Sequence, residues 1–250
     1  MKVFEQLLHA KKERGAAYLV LIDPDKQSVE DAVKLAKMCE KAGVDALLVG
    51  GSLLFAHIFG ELIKAIKAAC DLPVIIFPGG ARQISPYADA ILFLSLISGR
   101  NPHHLIGEQV ISAPIIKSMK LETISTGYMF IEAGNVTSAQ FLSDSRPIPR
   151  KKTDIALAHA LAAEYLGMRC IYLEAGSGAK LSVPEEMIGL LYQHVTIPMI
   201  VGGGIRTPEE ALRKVEAGAS FVVTGNVVEK NPELGFLKAF ADAIHEKKKR

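Results

Sequence analysis

The amino-acid sequence predicts an α/β fold: eight parallel strands closed into a barrel, with the helix after strand three missing or replaced by extended chain. Three observations lead there. Eight short apolar runs occur in order along 250 residues, and almost all alternate with helical segments. The strand-loop-helix unit repeats at roughly 25–30 residues, the spacing that a crossover between parallel strands requires. No GxGxxG follows the first run, which argues against an open dinucleotide-binding sheet. A chain of this length suits one large core and is short for two, so residues 1–250 are expected to form a single (β/α)8 TIM-barrel domain.

The elements read as follows. AYLVLID, at 17–23, is the first strand. Residues 28–42 have helical periodicity, with Ser28 as N-cap and Gly43 as the C-terminal stop. ALLVG from Ala46 is the second strand, 55–69 the second helix and PVIIFPG from Pro73 the third strand. Only GGARQISPYAD and its neighbours separate VIIF from AILFLSLIS. That connection is too short and too rich in helix breakers for a full helix. Asn101-Pro102 opens a helix to about Lys120, and LETISTGYMFIE is a long fifth strand. Residues 133–150, rich in Gly, Ser, Asn and Pro, read as a long loop of the kind used as a lid or binding segment. Asp154 is expected to cap DIALAHALAAEYLG. CIYLEAG is strand six and 184–194 its helix; IPMIVGGG is strand seven. Thr207-Pro208 caps and opens the next helix, FVVTGN is strand eight, and a last helix starts near Glu233.

Composition narrows the function. The net charge is +2, and the basic residues are spread among acidic ones, so no nucleic-acid partner is expected. Cys39, Cys70 and Cys170 lie far apart with no metal-ligand spacing, as free buried thiols of a reducing cytoplasm would. MKVFEQLLHAKKERG lacks the apolar centre of a signal peptide, and no apolar run approaches the roughly 20 residues that span a bilayer. A soluble, cytoplasmic chain is expected, with Lys247-Lys248-Lys249-Arg250 as a frayed, solvated helix end in preference to a contact for anionic lipid.

In a barrel the loops after the strands form the active face, and four of them are unusual here. Gly202-Gly203-Gly204 follows strand seven and Thr224-Gly225-Asn226 follows strand eight. Glycine lets backbone N–H groups approach phosphate oxygens, and phosphate sites recur at these two strands; the plainer reading is a pair of tight turns. The third loop is Tyr172-Leu173-Glu174-Ala175-Gly176-Ser177-Gly178. Glu174, at a strand end, can accept a proton from a substrate hydroxyl, or it can form a structural ion pair. Tyr172 shares its strand face and either orients it or fills the core. The fourth loop, Asp23-Pro24-Asp25-Lys26, lies next to Gly50-Gly51-Ser52. Asp23 and Ser52 can hold Mg²⁺ when a substrate supplies phosphate oxygens, though Asp-Pro-Asp also makes ordinary turns. The first site suits a small phosphate ester. The second, expected across the barrel mouth from it, suits a metal-bound diphosphate. Between them AILFLSLIS and Tyr128-Met129-Phe130 offer an apolar wall, or ordinary barrel packing.

Together LIDPDK, the GGS at 50–52, SGRNPHHLIGEQV, ISTGYMFIEAGNVTS, PIPRKKTDIA, YLEAGSGA, VGGGIRTPEEA and VTGN fall in the order of the geranylgeranylglyceryl phosphate synthase family, including its bacterial heptaprenylglyceryl phosphate synthase branch. The chain resembles the larger of its two groups over essentially its whole length. The resemblance implies an Mg²⁺-dependent prenyltransferase of ether-lipid synthesis. It would move a geranylgeranyl or similar long isoprenyl group from its diphosphate to the primary hydroxyl of sn-glycerol 1-phosphate. By the same resemblance Asp23 and Ser52 bind Mg²⁺, and Tyr172, Leu173, Glu174, Ala175, Gly176, Ser177, Gly178, Gly203, Gly204, Gly225 and Asn226 bind glycerol 1-phosphate. Glu174 is the base, with Tyr172 beside it. A homo-oligomer, dimer or hexamer, and a peripheral membrane contact for product release are also implied, as is loss of the third barrel helix. Ser125 departs from the family pattern, which has proline before Thr126-Gly127. The competing readings are another phosphate-binding barrel enzyme, such as a sugar-phosphate isomerase, and a non-catalytic phosphometabolite-binding protein.

Overall fold

The structure, a computed structural model, describes residues 1–55 and 57–245. The basic tail at 247–250 lies outside them. A parallel sheet closes on itself in the order β1-β2-β3-β4-β5-β6-β7-β8, with β1 paired to β8. The strands are β1 Ala17–Ile22, β2 Ala46–Val49, β3 Val74–Ile76, β4 Ala90–Leu96, β5 Glu122–Phe130, β6 Cys170–Glu174, β7 Met199–Gly202 and β8 Phe221–Thr224. The helices are α1 Val3–Arg14, α2 Val29–Ala42, α3 Phe59–Ala69, α4 Glu108–Met119, α5 Ser138–Leu142, α6 Thr153–Tyr165, α7 Glu185–His194, α8 Pro208–Ala217, α9 Asn226–Lys230 and α10 Leu234–Ile244.

Alternation divides the apolar residues of each strand between two cores. One lies between sheet and helices and contains Val20, Val49, Ile76, Ile171 and Val201. The other fills the barrel with Leu19, Leu48, Ile75, Tyr172, Ile200 and Phe221. Helix α1 seals its lower end. Val3, Phe4 and Leu7 join the barrel interior, and the Phe4 ring meets Phe221 edge-on at 6.2 Å. The Glu122 carboxylate holds this helix by accepting the Val3 N–H at 2.6 Å, at an end where helix N–H groups otherwise have no partner. With the bottom closed, access to the interior is from the loops after the strands.

Several helix starts follow from local chemistry. Ser28 accepts the Asp31 N–H at the start of α2, and Thr207 accepts the Glu210 N–H above Pro208 at the start of α8. Replacing Thr207 by alanine is expected to cost about 1 kcal/mol and to lower the thermal midpoint by about 2–4 °C. An unchanged midpoint in thermal unfolding would assign the start of α8 to other contacts.

Two helix starts differ from expectation. Asp154 does not cap α6. The helix begins at Thr153 behind Lys152, with no side-chain cap, and Asp154 lies in the first turn, where its charge favours the helix dipole. Helix α3 begins at Phe59 rather than 55, because the Phe55 N–H donates to the Asp25 carboxylate at 2.9 Å and holds this stretch as loop.

Residues 77–89 contain no helix, as the breaker-rich connection predicts. Buried Gln83 anchors this stretch to the loop after β2. Its amide donates to Gly51 O at 2.7 Å and accepts the Gly51 N–H at 3.3 Å. The helix after β4 opens with a π-helical turn, His103–Gly107. Ser125 lies inside β5, and its hydroxyl accepts the Arg169 N–H at 3.0 Å. The long segment after β5 is largely loop, but it carries α5 and a bridge between Ile131 and Ile148. Cys39, Cys70 and Cys170 are free and buried. No helix among the described residues is long and apolar enough to cross a membrane.

Candidate active site

A cavity of about 950 Å³ opens at the loop end of the barrel. Every proposed site residue that projects into this end lines it: Asp23, Ser52, Tyr172, Glu174, Gly176, Ser177, Gly178, Gly203, Gly204, Gly225 and Asn226. Leu173 does not. It faces the helices, as alternation along β6 demands. Ala175 is also buried in that outer core.

Glu174 is the electrostatic centre of the cavity. It is 5% exposed, ends β6, and one carboxylate oxygen accepts the Gly176 N–H at 2.5 Å. The phenols of Tyr172 and Tyr128 also donate to it. Burial pushes its pKa up to about 7, and those three donors, each favouring the carboxylate, limit the rise. Among the described residues no cationic side chain pairs with it, so the ion-pair reading is not supported. The aromatic packing is tight. Tyr172 stacks on Phe77 at 5.1 Å and meets Tyr128 edge-on at 5.4 Å. Tyr128 is the donor that the sequence reading missed, since it reads there only as part of an apolar wall. The usable signal was its place two residues before Phe130, on the strand that pairs with β6: Tyr128 lies directly beside Tyr172 in the register.

The loops after β6, β7 and β8 form one wall. Gly203 has φ +77°, and a Cβ there would stand 2.5 Å from Gly176 N and 2.6 Å from Glu174 Oε1. Glycine is therefore required for both its backbone conformation and its space. Arg206, which also lines the cavity, braces the wall by donating to the Ala179 and Lys180 carbonyls at 2.7 and 3.0 Å. Ser177 Oγ donates to Asn226 Oδ1 at 3.0 Å, joining the β6 and β8 loops. The short helix α9 begins at Asn226, and Asn226 and Val227 line the same space.

Asp23 and Ser52 lie on neighbouring loops. A Cβ on Gly51 would stand 3.2 Å from Asp23 Oδ1. Among the described residues no group of three or more His, Cys, Asp or Glu gathers to hold a metal. A carboxylate and a hydroxyl are hard oxygen donors, and Mg²⁺ commonly takes one or two protein ligands, with substrate phosphates and water completing its shell. The donor set fits that ion.

The placement of this pair corrects the sequence reading. The two sites are not on opposite sides of the mouth, because β1 pairs with β8 when the ring closes. Asp23 is a neighbour of Asn226, and Lys26 spans them, with Nζ 3.0 Å from Asp23 Oδ2 and 3.0 Å from Asn226 Oδ1.

From Glu174 the cavity runs outward past β4 to α4. Ile91, Phe93, Leu94, Leu96, Tyr128 and Phe130 line this arm together with Ile84 and Ile116. Residues 77–89 run here as turns and irregular chain and leave space beside β4. Met129, expected in the wall, is instead buried toward the helices.

A closed barrel sealed at one end, with a buried carboxylate poised near neutrality at the other, defines an enzyme of the (β/α)8-barrel class. Residues 8–245 match the PcrB family. Geranylgeranylglyceryl phosphate synthase from Chitinophaga pinensis is 45% identical over 98% of this chain and 96% of its own. The protein of that name from Methanosphaera stadtmanae is 46% identical over 96% and 99%. Among solved structures, (S)-3-O-geranylgeranylglyceryl phosphate synthase from Thermoplasma acidophilum in complex with its substrate sn-glycerol-1-phosphate superposes with a TM-score of 0.94. It is 39% identical and covers 99% of this chain and 100% of its own. The chain belongs to the PcrB family and, like these relatives, is a prenyltransferase.

Proposed function

We propose that this enzyme transfers a geranylgeranyl or similar long isoprenyl group from its diphosphate to the primary hydroxyl of sn-glycerol 1-phosphate, forming the first ether bond of an ether lipid. The single observation that carries this reading is the position of Glu174. It sits where the glycine-lined phosphate wall meets the apolar arm, within one cavity.

In this reading the loops of Gly176-Ser177-Gly178, Gly203-Gly204 and Gly225-Asn226 hold the acceptor's phosphate. That leaves its hydroxyl at Glu174, which takes the proton as the C–O bond forms. Holding the nucleophile in place contributes an entropic gain that can reach several kcal/mol. Tyr128 and Tyr172 keep the carboxylate oriented and share its charge by hydrogen bonding. The apolar arm takes the hydrocarbon chain, and Asp23 and Ser52 hold Mg²⁺ beside the diphosphate. The ion, when bound, neutralises charge growing on the leaving diphosphate. The same reading includes a cytoplasmic homo-oligomer, dimer or hexamer, and contact with a membrane surface as the lipid product departs.

The test incubates the enzyme with Mg²⁺, sn-glycerol 1-phosphate and prenyl diphosphates of several lengths. The reading requires ether product with this acceptor, dependence on Mg²⁺, and little or none with glycerol 3-phosphate. Absence of product from every donor would overturn it.

The pKa of Glu174 fixes the sign of a pH effect. A base must be ionised, so below about pH 7 the rate is expected to fall roughly tenfold per pH unit, and above it to level off. Tyr128→Phe removes a donor that favours the carboxylate. The acid limb should then move to higher pH in a kcat/KM profile. A limb that stays in place would deny Tyr128 this role.

A further inference from the structure

The metal-side loop and the acceptor loops are joined by one run of hydrogen bonds. Lys26 Nζ lies 3.0 Å from Asp23 Oδ2 and 3.0 Å from Asn226 Oδ1, with Glu229 Oε2 at 3.3 Å. Asn226 Oδ1 accepts a second bond from Ser177 Oγ. One ammonium therefore ties the loop after β1 to the loop after β8 and, through Asn226, to the loop after β6. Two of its three partners are groups that the proposed reaction needs elsewhere. Asp23 is the carboxylate of the candidate metal-ligand pair, and Asn226 belongs to the phosphate wall. Glu229, on α9, is needed by neither substrate.

An ammonium and a divalent cation repel when both lean on one carboxylate. Engagement of Asp23 by an ion therefore favours release of Lys26 from it. The lysine stem is flexible, and its head is a compact charge. Glu229 keeps that head at the rim, within reach of a phosphate dianion bound beside Asn226.

We propose that Lys26 is a positioning residue that couples the two halves of the site, holding Asp23 in the free protein and turning to the acceptor phosphate once Asp23 is engaged. The inference rests on the functional reading above. Its thermodynamic content is positive cooperativity between the acceptor and the metal-diphosphate, equal in both directions by linkage.

The experiment is calorimetric titration of sn-glycerol 1-phosphate into the protein, alone and with saturating Mg²⁺ and inorganic pyrophosphate. The wild type is expected to bind the acceptor about five- to tenfold more tightly in the presence of Mg²⁺-pyrophosphate, within the range usual for coupled sites. In Lys26→Met the affinity for the acceptor alone should stay within about twofold of wild type, while the enhancement falls below about twofold. Lys26→Arg, which keeps the charge, should restore most of it. Enhancement retained in Lys26→Met, or absent from the wild type, overturns the coupling role. A Lys26→Met protein that binds no acceptor at all makes the lysine a structural clamp and overturns it equally. If the wild type binds neither ligand, the functional reading itself fails, and this inference with it.

Discussion

Glu174→Gln is expected to lower turnover by about 10²- to 10⁴-fold, the usual contribution of a positioned general base, while sn-glycerol 1-phosphate still binds with nearly wild-type affinity. The substitution keeps size and shape. The amide oxygen can still accept the Gly176 N–H, which Glu174 accepts at 2.5 Å, so the phosphate loop has no reason to move. What is lost is the ability to take a proton in the transition state. The signature is a fall of kcat and kcat/KM together, with an unchanged dissociation constant for the acceptor. The acid limb near pH 7 should vanish with the group that produces it. Normal turnover in the variant would remove Glu174 from the chemistry. Loss of acceptor binding would make it a structural support for the loop.

Gly203→Ala should damage binding and turnover together. The added methyl stands 2.5 Å from Gly176 N and 2.6 Å from Glu174 Oε1, at a backbone φ of +77°. One of those neighbours is main chain and the other is the base, so neither can move without consequence. Each charge-assisted hydrogen bond to the phosphate contributes about 1.5–3 kcal/mol, and the loss of one or two lowers acceptor affinity by roughly 10- to 10⁴-fold. A displacement of the base of about 1 Å can cost a further 10²-fold in rate. Gly235→Ala provides the control. A Cβ there meets nothing within 4 Å, and both constants should stay at wild type. Wild-type kinetics in Gly203→Ala would show that the loop after β7 does not form the wall beside Glu174.

Much of this was legible in the sequence because it is local. Strand order follows from apolar runs, and the missing helix follows from Gly79, Gly80 and Pro86 in a short connection. The caps at Ser28 and Thr207 depend on residues only three positions away. What escaped depends on ring closure or on inward alternation. The adjacency of Asp23 and Asn226 is a consequence of β8 pairing with β1 in the closed barrel, and not of any pattern near either residue. Tyr128 gained its role only when β5 was laid beside β6 in register. Met129 and Leu173 alternate with inward-facing neighbours on β5 and β6, so their side chains turn toward the helices. Asp154 failed as a cap because the backbone turned helical one residue earlier.

The closure between β8 and β1 also bears on how the chain is made. Tyr18 and Thr224 bond across that seam at 2.7 Å, and Lys26 reaches a residue 200 positions away in sequence. During synthesis the edge of β1 waits unpaired until nearly the whole chain has emerged, and long-range pairing of this kind is slow and exposed to aggregation. The candidate site takes residues from both sides of the seam, so a ribosome-bound chain lacking its last unit holds only an incomplete site. Activity appears with the last strand, and its time course during synthesis or refolding reports the closing of the ring.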